Sequence, residues 1–244
     1  MEIRILHGMD GARAATGVAV VIDVFRAFTT ACHAAAAGAR PILPTDSPEG
    51  IVSLKSMFPG AITAGERFGK PMPGCDFGNS PALIEAARAR LAGRAFIHAT
   101  HAGTRGLLAA TGATDVLAAS LVNARATARY VRLLRPPVVS LVAMGWTGEQ
   151  RAEEDDACAD YLAALLGDRP FATDGLAKEL RNAEAAAKFF EPAQDWAPEE
   201  DFHLCLAVDH FPFALRLERD AIPRLVPVVL SPVCHAMLTP DAIP

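Results

Sequence analysis

The stretch Val18 to Thr30, VAVVIDVFRAFTT, limits the possible folds of this chain more than any other. Five apolar residues, Val18 to Ile22, run straight into Asp23, and a helical pattern opens behind them with Arg26, Thr29 and Thr30. An unbroken apolar run predicts a strand buried on both faces, which occurs where helices cover both sides of a sheet. A carboxylate at such a strand's end, beside a cation and hydroxyls on the next helix's first turn, is how α/β proteins build ligand sites. Helix N-termini add free N–H groups and a positive dipole end, both suited to phosphate. The segment therefore reads as a metal-binding or basic carboxylate facing an anion cradle. The plainer alternative, that Asp23 only caps the following helix, fits the same residues.

The arrangement recurs. Ala61 to Thr63 is followed by Gly65, Glu66 and Arg67. Arg94 to His98 gives way to Thr100, His101 and then Gly103, Thr104 and Arg105. Val116 to Ala119 leads to Ser120, Asn123 and Arg125, and Val138 to Met144 leads to Gly145 and the acidic cluster Glu153 to Asp156. Strands of a parallel sheet point their carboxyl ends one way, so these polar ends are expected on one shared edge.

Strand and helix signals alternate through most of the chain. Strands are expected at 18–24, 41–45, 61–66, 94–100, 115–120 and 138–144, and helices at 26–37, 48–58, 81–91, 103–111, 124–135, 152–167 and 174–190. Asn79 or Ser80 caps the helix at 81, with Pro81 in its first turn. Gly and Pro make 68–77 a loop. The order predicts an α/β domain, a mainly parallel or mixed sheet with helices on both faces. Beyond Phe190 the pattern weakens: 202–209 fits a helix or a strand, 226–230 a late strand, and the Pro-rich tail little regular structure. The expectation is one domain over 1–244, with 190–244 as a small C-terminal lobe over the strand ends.

Composition narrows the function. With 51% hydrophobic residues in 244 the chain can build a large core. A formal net charge of −5, with no basic run, argues against a nucleic-acid surface, and single arginines beside Gly and Thr point to a small anionic ligand. The five cysteines, Cys32, Cys75, Cys158, Cys205 and Cys234, form no C-x-x-C pair and read as packing residues in a reducing compartment. The start, MEIRILHGMD, does not read as a signal peptide, and no apolar stretch reaches the ~20 residues needed to span a bilayer, so the expected location is the cytoplasm, with no membrane partner.

Several stretches together resemble the 2-phosphosulfolactate phosphatase family: VVIDVFRAFTT at 20–30, AGERFGKPMPGCDFGNSP at 64–81, GTRGL at 103–107, EDDACA at 154–159 and, more loosely, CLAVD at 205–209. The resemblance implies a three-layer α/β/α architecture and a Mg²⁺-dependent phosphatase. Such enzymes hydrolyse 2-phospho-3-sulfolactate to 3-sulfolactate and phosphate on the route to coenzyme M. A homodimer is compatible with it. Three positions depart from the family pattern. Ala102 stands where Asn precedes the Gly-Thr pair, Asp160 stands where Gly follows Cys-Ala, and no His-Gly pair lies between Phe189 and Trp196. A changed pocket, suited to another phosphorylated hydroxy acid or to binding without turnover, is the corresponding expectation.

On this resemblance Mg²⁺ is expected on Asp23, Glu66, Glu154 and Asp155, since it takes oxygen ligands and few protein carboxylates. Arg26, Thr29, Thr30, Arg67, Asn79, Gly103, Thr104 and Arg105 are expected to hold the phosphorylated substrate. Asn79 is equally read as a turn and cap residue. His101 is read either as a group that protonates the leaving alkoxide or holds a phosphate oxygen, or as a surface loop residue. Asp23, Glu66, Asp155 and His101 form the expected catalytic set. Water is the simplest nucleophile; an aspartyl-phosphate through Asp23 remains open.

Overall fold

The structure, a computed structural model, describes residues 1–192 and 194–230. Ten strands form one mixed sheet: β1 (Glu2–His7), β2 (Gly17–Ile22), β3 (Ile42–Thr45), β4 (Ile62–Arg67), β5 (Lys70–Pro71), β6 (Phe96–Ala99), β7 (Ala113–Ala119), β8 (Val138–Ala143), β9 (Phe213–Glu218) and β10 (Arg224–Val229). Their order is β1-β8-β2-β7-β9-β10-β3-β6-β4-β5. The helices are α1 (Gly8–Ala14), α2 (Ala27–Ala36), α3 (Pro48–Met57), α4 (Pro81–Ala86), α5 (Arg88–Leu91), α6 (Gly103–Ala109), α7 (Ala124–Leu134), α8 (Glu153–Leu166), α9 (Leu176–Leu180) and α10 (Glu199–Cys205).

The apolar run that opened the sequence argument behaves as expected of a strand covered twice. Ala19 and Val21 of β2 pack into one core with Ala27, Phe28 and Ala31 of α2 and Leu107 of α6. Val18, Val20 and Ile22 point the other way, against Ala124, Ala128 and Val131 of α7 and Cys158 and Leu162 of α8. Period-two alternation thus divides one strand between two apolar layers, and every residue from Val18 to Ile22 is buried.

The sheet is not parallel throughout. β1, β8, β2 and β7 form one parallel block, and β3, β6 and β4 a second. Between them stands the antiparallel pair β9–β10, itself antiparallel to β7 and to β3. Three antiparallel steps reverse the nominal strand direction, so the two blocks do not share one edge as a simple parallel sheet would. A single register pair, Leu225 with Ile42, joins β10 to β3. With roughly 20–25° of twist per neighbouring pair, the four steps from β2 to β3 turn the strand axis by about 90°. That rotation undoes much of the reversal, and polar ends from both blocks line one cavity.

The elements that differ from expectation do so for local reasons. β1 is an edge strand with no buried residue, so it lacks a continuous apolar run, and β9 (FALRLE) carries charges that mask its core residues. The helix expected over 174–190 divides into α9 and a 3-10 turn at Glu184–Phe189, and the one over 81–91 into α4 and α5. The ambiguous segment 202–209 is helical through Cys205. Of residues 190–244, read as a lobe, the described part places β9 and β10 in mid-sheet and packs α10 on α4. The Pro-rich tail and Cys234 lie outside the described residues. Cys32, Cys75, Cys158 and Cys205 are free thiols. No helix among the described residues is long and apolar enough to cross a membrane.

Candidate active site

The cavity opens where β2, β4, β6 and β8 end. Its wall includes Asp23, Phe25, Arg26, Glu66, Phe68, Asn79, His101, Ala102, Trp146, Glu154, Asp155 and Lys188. The four expected metal carboxylates therefore line one cavity, from segments that the sequence separates widely, but among the described residues no three of them are grouped so as to hold one metal ion between them.

Each carboxylate has a different local attachment. Asp23 Oδ1 accepts from Ala27 N at 2.9 Å, so Asp23 does hold the start of α2 while also facing the cavity. Gly103 fits closely against it: a Cβ there would lie 2.6 Å from Asp23 Oδ2 and 2.7 Å from Ala27 Cβ. Glu66 uses both oxygens, accepting from Gly69 N at 2.8 Å and His101 N at 2.6 Å, and so ties two rim loops together. Asp155 does the same for two strand ends, accepting from Val24 N at 2.7 Å and Gly145 N at 2.8 Å. Gly145 adopts φ +64°, and a Cβ there would strike Gln150 O at 2.0 Å, so this turn requires glycine. Glu154 is only 3% exposed, and its Oε2 has no partner.

Burial and mutual repulsion show in the acidities. Burial pushes the Asp23 carboxyl up to about 6, with the Glu66 charge adding to it. Burial pushes Glu154 up to about 7, and raises Asp155 as well, with Glu154 and Asp23 both contributing. Among the described residues, two cations share the wall, Arg26 and Lys188. Arg26 is committed: its Nη1 donates to Asp201 Oδ2 at 2.6 Å and to Trp196 O at 2.9 Å, and its Nη2 to Gly69 O at 3.2 Å. Asp201 is fully buried and also accepts from Ser80 Oγ and Ala82 N, so it joins Arg26 to the start of α4. Lys188, from the 3-10 turn, donates to Phe25 O at 3.2 Å and lies over the Phe25, Trp146 and Phe189 rings; burial lowers its pKa.

Of the residues expected to hold substrate, Asn79 and Arg26 reach the wall, Arg26 as a clamp already paired. Thr29, Thr30 and Thr104 do not line it. Thr29 Oγ1 bonds Val24 O and Ser120 Oγ, and the Thr30 hydroxyl is buried without a partner. Thr104 Oγ1 donates to Thr45 O at 2.7 Å and accepts from Thr100 N at 2.8 Å, joining α6 to β3 and β6. These hydroxyls face inward because the first turns of α2 and α6 pack on the sheet. Arg67 is exposed, and Arg105 bonds His101 O and lines a separate surface recess with His7, Asp10 and Arg13. Arg125 binds Asp209 and Tyr161 away from the cavity. His101 lies at the rim, its ring 4.4 Å from that of Phe68, with Nδ1 unpartnered and its pKa lowered by burial.

Lys188 and Asp201 escaped the sequence reading. Lys188 sat within an unbroken helical pattern, and Asp201 in an acidic run indistinguishable from a solvated loop.

A model of the 2-phosphosulpholactate phosphatase family matches residues 5–219, nearly all of the chain. The chain belongs to this family. Among curated relatives, proteins named probable 2-phosphosulfolactate phosphatase match it at 38% identity in Carboxydothermus hydrogenoformans, covering 74% of this chain and 70% of that one. The Bacillus subtilis protein of the same name is 29% identical over 94% of this chain and 100% of its own. The family-like segments at 20–30, 64–81 and 154–159 each place at least one residue on the cavity wall, and Ala102 lines it too.

Proposed function

We propose that this chain is a Mg²⁺-dependent phosphatase, working in the cytoplasm, that hydrolyses 2-phospho-3-sulfolactate or a similar small phosphorylated hydroxy acid. The names of its relatives support the reaction class, phosphoric monoester hydrolysis. The observation that carries the metal is the charge balance of the wall: four carboxylates face Lys188 and a guanidinium already neutralised by Asp201. A phosphate monoester brings about two further negative charges, which such a cavity repels unless a cation intervenes.

The donor set suits Mg²⁺. All are carboxylate oxygens, the hard donors that Mg²⁺ prefers. Mg²⁺ usually takes one or two carboxylates and leaves the rest of its shell to water and phosphate. Asp23 and Glu154 are the residues to hold it, because Glu154 Oε2 has no partner and Asp23 has one oxygen outside the α2 cap. When bound, it would polarise the phosphoryl group and offset its charge.

The chain's own groups supply the remainder. Lys188 offers two N–H donors to phosphoryl oxygens. His101, held neutral at pH 7, has a free Nδ1 that can accept a proton from an attacking water. Glu66 and Asp155 hold the loops around this arrangement. Water fits better than an aspartyl nucleophile, since one Asp23 oxygen caps α2 and the other would be taken by the metal.

The test is phosphate release by purified protein from 2-phosphosulfolactate and a panel of phosphorylated hydroxy acids, with Mg²⁺ and with excess chelator. Turnover that requires the metal is expected. Undiminished turnover in chelator would remove the metal from the reading. No turnover on any substrate, with ligand binding by calorimetry, would instead support binding without catalysis, the outcome favoured by Ala102 in the wall.

A further inference from the structure

His98 is a residue that the reaction outlined above does not use. It lies on β6 between Pro44 of β3 and Ala64 of β4, fully buried. Its Nε2 is 3.0 Å from Oδ1 of Asn79, one of the residues lining the cavity. Its Nδ1 has no partner. Burial drives its pKa down to about 3, so the ring is neutral and carries a single N–H.

Two arrangements satisfy that neutral ring. If Nε2 carries the hydrogen, it donates to the Asn79 carbonyl, and the amide nitrogen of Asn79 turns to the cavity. The orphan at Nδ1 is then a bare lone pair. If Nδ1 carries the hydrogen, a buried donor is left with nothing to bond, which costs more than an unpaired acceptor. Asn79 would then have to reverse and present its carbonyl to a wall already rich in carboxylates. The first arrangement avoids both penalties. The Asn79 amide nitrogen has no protein partner among the described residues, so it is free for a ligand.

We infer that His98 is a positioning residue that locks the Asn79 amide with its N–H group toward the cavity, making Asn79 a neutral donor for an anionic oxygen of the substrate. The inference rests on the phosphatase reading for the identity of that ligand, but the locked amide stands apart from it. It gives the acidic wall a donor that needs no charge and does not titrate.

The test has two arms. In the first, ¹⁵N-histidine spectra of the wild-type protein report the tautomer between pH 6 and 9. A neutral His98 with hydrogen on Nε2 throughout is expected, and a hydrogen on Nδ1 would overturn the inference. In the second, binding of inorganic phosphate is measured by calorimetry in Mg²⁺ for Asn79→Ala, His98→Phe and His98→Gln. Each of the first two should weaken binding about tenfold, the double variant no further, and His98→Gln, which keeps a side-chain N–H donor, should recover most of the loss. Circular dichroism identifies a variant that has not folded; the tautomer and Asn79→Ala then decide the matter alone. Equal losses in both folded His98 variants, or none in Asn79→Ala, would refute it. If wild type hydrolyses no phosphomonoester while both arms succeed, the catalytic reading fails and this one survives.

Discussion

Replacing Glu154 with Gln should make the metal-free protein more stable while disabling the site. Glu154 is 3% exposed and its Oε2 finds no partner, so its charge is carried at a cost in the folded state. Its carboxyl ionises near 4.5 in a free chain and at about 7 here. In this window the folded protein binds more protons than the unfolded one, so the contribution of Glu154 to stability falls as pH rises. Linkage gives a penalty of about 3 kcal/mol at pH 8, less than half of that at pH 5.5 and close to none at pH 4. Gln keeps the shape and removes the charge, and it also relieves Asp155, whose pKa the Glu154 charge helps to raise. In chelator at pH 8 the variant should melt roughly 6–12 °C above wild type. The difference should more than halve by pH 5.5, and saturating Mg²⁺ should close it by stabilising wild type alone. Scanning calorimetry at the two pH values, with and without Mg²⁺, reads all of this. A variant no more stable than wild type at pH 8 without metal would refute the reasoning.

Arg26→Ala should act on stability, because it leaves the fully buried Asp201 without its partner. A loss of about 3–5 kcal/mol is expected in denaturant titration, and an unchanged midpoint with a raised KM would instead return Arg26 to substrate binding. Thr104→Val should cost about 1–3 kcal/mol by the same titration through its bonds to Thr45 O and Thr100 N, with KM near wild type in the folded enzyme. Gly103→Ala should push Asp23 from its place and weaken Mg²⁺ binding, measured by calorimetry, roughly tenfold or more.

Most of the parallel strands were legible because both-face burial writes itself as continuous apolar runs, as in Val18 to Ile22. Asp23 and Glu66 were legible because each ends such a run; Glu154 and Asp155 were singled out from the acidic helix start only by the family resemblance. What was not legible depends on contacts distant in sequence. No local pattern shows that Arg26 meets Asp201, that Lys188 turns back to Phe25, or that the threonines of α2 and α6 face the sheet instead of the cavity. Of the antiparallel pair, β10 answers the late strand expected at 226–230, whereas β9 was hidden: FALRLE mixes charges with core residues, and the pair's place between β7 and β3 is set by pairing rather than by composition.

That pair also governs when the molecule can be finished. β9 and β10 are the last described strands to be synthesised, yet they stand in the middle of the sheet, and Leu225 meets Ile42 from nearly the other end of the chain. On the ribosome, the Asp23 block and the Glu66 block are complete long before the strands that bridge them, and Asp201 also comes late to a waiting Arg26. Sheets closed by such distant pairings form slowly, with apolar faces and strand edges open in the meantime. A chain clipped ahead of residue 213 would carry every carboxylate of the cavity and still have a divided sheet. Phosphatase activity in a cell would therefore report full-length chains only, and truncated ones should appear as aggregates or protease substrates rather than as weak enzymes.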